Sequence, residues 1–144
     1  MKNALVWALI PLALLLGGGI WKGGFLFNAA GGTGSGVLSS TTPVELASVS
    51  MNARSGRAFL ALAGDVSSGL GTTLTLSLRV DGNPSDAPSY QIILTAGERV
   101  NASFSGLSST FSPGVHTFAV YGNVSANNAF YTFNKLSVFD MGGG

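Results

Sequence analysis

After residue 37 the apolar and polar residues alternate with period two. In TTLTLSLRVDGN, Leu74, Leu76, Leu78 and Val80 are separated by Thr75, Ser77 and Arg79, which sets an apolar row and a polar row on opposite faces of a strand. Asp81-Gly82-Asn83-Pro84 ends that strand with turn residues, and Pro84 and Pro88 hold off pairing until SYQIILTAGE resumes the pattern. Comparable runs occupy Val44–Asn52, Arg57–Val66, Arg99–Leu107, His116–Val124, Ala129–Phe133 and Lys135–Met141. Short connectors rich in Gly, Pro, Asn or Ser separate them, and no apolar stripe at helical spacing follows residue 37. The pattern predicts an all-β chain of eight antiparallel strands in two packed sheets, with the jelly roll as the natural topology.

The first 36 residues follow another pattern. Ala4 to Trp21 carries no charge; as a helix its 18 residues would span about 27 Å, near the roughly 30 Å of a bilayer core. Trp7 and Trp21 stand near its ends, with Lys2 and Lys22 just outside, as suits a membrane anchor with interfacial rings. Pro11 and Gly17 to Gly19 weaken the helix, so its firmest part is Ala4 to about Leu16. The same residues also fit a secretory signal, with Lys2 before an apolar stretch, or an arm buried in an assembly. The residues leave these three readings open. GGFLFNAAGGTGSG, Gly23 to Gly36, reads as a flexible tether. The expected organisation is therefore an anchor helix over 1–22, a tether over 23–36 and a β-sandwich over 37–144.

At 144 residues the chain has length for one domain. Charged residues are only 9% of it, against roughly 25% in ordinary globular proteins, so the surface is neutral and rich in hydroxyls. Seven basic and six acidic residues, without a basic cluster, exclude a phosphate-tracking surface, and nucleic acid is not an expected partner. With no Cys there is no disulfide framework, thiolate chemistry or Cys-ligated zinc.

Little in the sequence points to catalysis. His116, the single histidine, opens a strand and has neither a Ser/Asp arrangement nearby nor a second His for a metal; it reads as a residue satisfied by a neighbouring loop. The acids Glu45, Asp65, Asp81, Asp86, Glu98 and Asp140 are scattered at turns and strand ends. DGNPSD lacks the dense oxygen ligands of a calcium loop, and GGTGSG lacks the Lys-Ser/Thr of a phosphate loop. No cofactor or metal is expected. Asn101-Ala102-Ser103 and Asn123-Val124-Ser125 match the N-glycosylation triplet.

The aromatic residues near the C-terminus are more informative. In NAFYTFNKLSVFDM, strict alternation puts Phe130, Leu136 and Val138 on one face and Tyr131, Phe133, Phe139 and Met141 on the other. Both faces are then apolar, although a sandwich buries only one face of each sheet. Either this strand pair lies at a corner or under a loop, or Tyr131, Phe133, Phe139 and Met141 form an oligomer interface, with a second copy as the simplest partner; the interface is the reading carried forward.

Arg79-Val80-Asp81-Gly82 before a turn, Pro113-Gly114-Val115-His116-Thr117 opening a strand and Asn134-Lys135-Leu136-Ser137-Val138 closing the domain resemble the jelly-roll modules of bacteriophage tail fibres and other virion-surface proteins. The resemblance covers about residues 42 to 141. It implies a tumour-necrosis-factor-like sandwich, often trimeric, serving virion architecture or receptor contact. The hydrophobic segment adds a membrane to that setting, either inside a tailless virus or at a cell envelope.

The leading expectation is a non-enzymatic virion or envelope protein, anchored through residues 4–21 at Trp7, Pro11, Leu14 and Trp21. It would assemble as a homotrimer with other virion or envelope proteins. The rival is a secreted or surface carbohydrate-binding module, with Tyr90, Tyr121 and Tyr131 stacking on a host glycan. A small hydrolase using His116 comes last.

Overall fold

The computed structural model describes residues 30–54, 56–84 and 89–141. The predicted anchor helix, with Trp7, Pro11, Leu14 and Trp21, lies outside them. Among the described residues there is no α-helix, and none long and apolar enough to cross a membrane.

The strands are β1 (Ala30–Leu38), β2 (Val44–Ala53), β3 (Ala58–Ser67), β4 (Thr72–Val80), β5 (Ser89–Leu94), β6 (Arg99–Asn101), β7 (Phe104–Leu107), β8 (Gly114–Val124) and β9 (Ala129–Asp140). One sheet has the order β1-β9-β3-β6, with β7 also on β3; the other has the order β2-β8-β4-β5. All these strand pairs are antiparallel. Arg99 pairs with Ser67 at one end of β3, and Leu107 with Phe59 at the other. Thus β6 and β7 fill a single place in the sheet, giving eight positions in jelly-roll order.

The nine described strands differ from the predicted eight at three places. The run Arg99–Leu107 is broken because Ala102, fully buried, turns inward and donates its N–H to Gly64 O at 2.8 Å. Ala129–Phe133 and Lys135–Met141 are joined into one strand. Finally, residues 30–36, expected in the tether, belong to β1, which pairs with β9 from Ala30↔Val138 to Leu38↔Ala129.

That last difference has a steric cause. A Cβ on Gly32 would lie 2.6 Å from Ser48 O, and one on Gly34 would overlap Leu46 O. The edges of the two sheets meet here main chain against main chain, where only glycine fits. A run that resembles a linker in composition is a close-packed strand.

β9 holds a further device. Its register on β3 passes from Ala63↔Lys135 to Gly64↔Phe133, leaving Asn134 as an extra residue. This β-bulge inverts side-chain parity, so Ala129 and Phe133 before it face the same way as Leu136 and Val138 after it. All four are buried in the core.

The core lies between the sheets. Strict alternation along β4 buries Leu74, Leu76, Leu78 and Val80, as the sequence predicts, against Phe118 and Val120 of β8 and Leu60 and Leu62 of β3. Each such side chain contributes about 1.5–3 kcal/mol through burial.

Candidate functional site

The predicted interface residues separate. Phe133 is 1% exposed and belongs to the core, so the bulge removes it from any interface. Tyr131 is half-buried, packed on the core with its ring 5.1 Å from that of Phe133. Phe139 is half-buried on the outer face, and Met141 is exposed. The structure brings Phe139 together with residues that strand parity alone did not single out. Phe59 pairs with Phe139 on one side and Leu107 on the other, and the two rings lie 6.2 Å apart. Leu107, Phe59 and Phe139 thus form an apolar row across three adjacent strands, with Met141 just beyond. Ala30 pairs with Val138, so β1 begins beside this row.

The three tyrosines are occupied. Tyr90, at the edge of its sheet, stacks on Phe104 of the opposite sheet at 5.5 Å and 6°, bridging the side of the sandwich away from β1. Tyr121 lies under the Arg79 guanidinium at 4.5 Å and donates its hydroxyl to Glu45 Oε2 at 3.3 Å. Burial, then the Glu45 charge, raise its pKa above the ordinary tyrosine value. Tyr131 leans on Phe133.

His116 ties three segments together. Its Nδ1 lies 2.7 Å from Asp81 Oδ2 and its Nε2 2.7 Å from the Ser112 carbonyl oxygen. Both partners are acceptors, so the geometry suits the protonated ring, in which both nitrogens donate. The hydrogen bond to Asp81, then that to Ser112, raise its pKa; the same bond, then Thr117 N–H on Oδ1 at 2.9 Å, lower that of Asp81. Phe111 packs beside the ring at 5.0 Å. A main-chain carbonyl stands where a hydrolase would need a nucleophilic hydroxyl. The expected loop-satisfied histidine is what this geometry provides. Among the described residues no three His, Asp or Glu side chains group to hold a metal ion.

At the far end of the sandwich, the β3–β4 and β8–β9 turns enclose a groove of about 380 Å³ lined by Gly69, Leu70, Asn127, Asn128 and Phe130. Hydrogen bonds fix its walls. Ser68 Oγ donates to Asn128 O at 2.7 Å, Asn127 Nδ2 to Gly71 O at 2.8 Å, and Ser125 N–H to Thr73 O at 2.9 Å. Thr72 Oγ1 closes the network on Ala126 O.

No family model matches the sequence, and no curated protein matches it. Solved structures share its architecture. The structure of infectious bursal disease virus Gx strain superposes with a TM-score of 0.52 at 14% identity, over 83% of this chain and 32% of the viral one. The EclA C-terminal domain, a sugar-binding protein, gives 0.42 at 20% identity over 69% of this chain and 79% of its own. TmCBM61, in complex with β-1,4-galactotriose, gives 0.41 at 10% identity over 84% and 93%. The feature shared with the viral structure is the jelly-roll fold.

The sequence carried a faint signal for the groove. Leu70 in SSGLG is a large apolar residue between glycines in a turn, where nothing in the strand pattern calls for one. It is 78% exposed.

Proposed function

We propose that the protein is a non-enzymatic structural module of a virion or cell-envelope surface, held there by its N-terminal hydrophobic segment and joined to copies of itself. The observation that carries this reading is the row Leu107, Phe59 and Phe139, with Met141 beside it, which runs across three adjacent strands on the outer face of a charge-poor protein. An apolar row on an outer sheet face is stabilised by a partner that covers it. A second copy is the simplest such partner, and closed symmetry lets one patch serve every protomer. A trimer, as in bacteriophage fibres and related virion modules, is the number that the sequence resemblance implies.

The position of the row supports the same reading. β1 begins beside it, with Ala30 paired to Val138.

The test is the mass of the full chain in detergent solution, measured by light scattering, for the wild type and for Phe59→Ser with Phe139→Ser. The expected result is an oligomer that the double variant dissociates while its circular dichroism is unchanged. A wild-type chain that stays monomeric at the highest soluble concentration overturns the proposal.

A further inference from the structure

The groove at the opposite end suits a ligand of a different kind. Phe130 is 48% exposed and offers an aromatic surface, and Leu70 extends the apolar wall. The Asn128 side-chain amide makes no hydrogen bond among the described residues, so a donor and an acceptor are left on the groove wall. None of the lining residues is charged. A ligand that complements this wall has an apolar C–H face for the ring, hydroxyls for the amide and no net charge.

We propose that the groove of Leu70, Asn127, Asn128 and Phe130 binds one or two pyranose units of a neutral glycan. Its volume of about 380 Å³ falls at the small end of ligand sites, which run from roughly 300 to 1,000 Å³. Anionic ligands find no cation on its walls. Its two turns are already bonded to each other through Ser68, Thr72, Ser125 and Asn127, so binding orders little that is loose.

The site does not depend on the assembly face. Phe130 and Phe139 stand near opposite ends of β9, about 30 Å apart at the rise of an extended strand. With the start of β1 and the apolar row at one end, the groove opens at the other.

The test uses the full chain in detergent solution with galactotriose, mannotriose and cellotriose as neutral probes and sialyllactose as the charged control, followed by ligand-observed NMR and calorimetry. At least one neutral trisaccharide is expected to bind, and Phe130→Ala and Asn128→Ala each to weaken it by about tenfold or more. Phe130→Tyr keeps the ring and is expected to retain binding. Phe59→Ser, on the assembly face, leaves affinity unchanged. Unaltered thermal melting of Asn128→Ala separates lost contact from lost fold. The proposal is overturned if no neutral probe binds at about 10 mM, if only sialyllactose binds, or if both groove variants bind as the wild type does.

Discussion

Gly32 of β1 and Ser48 of β2 meet main chain to main chain, with a Cβ on Gly32 standing 2.6 Å from the Ser48 carbonyl oxygen. Gly34 faces Leu46 O more tightly still. Each opposing atom is main chain of β2, which is held on its other side by β8, with Leu46 at a bulge in that pairing. Gly32→Ala and Gly34→Ala are expected to destabilise the fold by about 1–3 kcal/mol each, the usual cost of overpacking. Gly36→Ala is the control, because its nearest neighbour is the Tyr131 hydroxyl at 3.1 Å, the end of a side chain. Urea unfolding of the three variants measures the difference; equal midpoints would mean that the two edges do not close as described.

The same strand separates two truncations. A chain starting at Ala30 keeps β1, whereas one starting at Val37 loses seven of its nine residues and uncovers the β9 edge from Val138 to Tyr131. The longer fragment is expected to melt cooperatively. The shorter one should melt lower and aggregate through the bared edge, as followed by differential scanning calorimetry and light scattering.

His116 and Asp81 set a dependence on pH. The folded pKa of His116 lies above its ordinary 6.5, so its contribution is fully present below 6.5 and is lost as pH rises through the folded value. That of Asp81 lies below its ordinary 3.8, so its contribution is present above 3.8 and is lost as pH falls through the lower folded value. The pair is therefore strongest between about 4 and 6.5. Melting temperature is expected to peak in that window and to fall by a few degrees toward alkaline pH, and His116→Gln should remove that slope. A wild-type profile matching that of His116→Gln would rule out the charged pair.

Much of the fold was legible because its strands are half-buried and alternate. β4 reads directly from Leu74 to Val80, and Asp81-Gly82 marks its end. Alternation could not disclose β1, since glycine has no side chain to place on either face; what selects glycine there is the main chain of another sheet. The bulge at Asn134 was hidden for a related reason. One extra residue exchanges the faces of everything beyond it, so Phe133 counted as outward although it lies in the core. The candidate sites were less legible still. Phe59 and Leu107 lie 48 positions apart in sequence and meet only through pairing, and the groove gathers residues from two turns that hydrogen bonds bring together.

The strand order also dictates when the fold can form. β9 lies between β1 and β3, and β8 between β2 and β4, so the middle of each sheet comes from strands made after the strands they join. Until those residues emerge, β1 and β2 have no neighbours to pair with, and β3 and β4 each lack one. Completion is therefore a late, non-local event of the kind that folds in milliseconds to seconds. The nascent chain must pass that interval with its edges open, and a surface of serine and threonine is well suited to keeping it dispersed until β8 and β9 arrive.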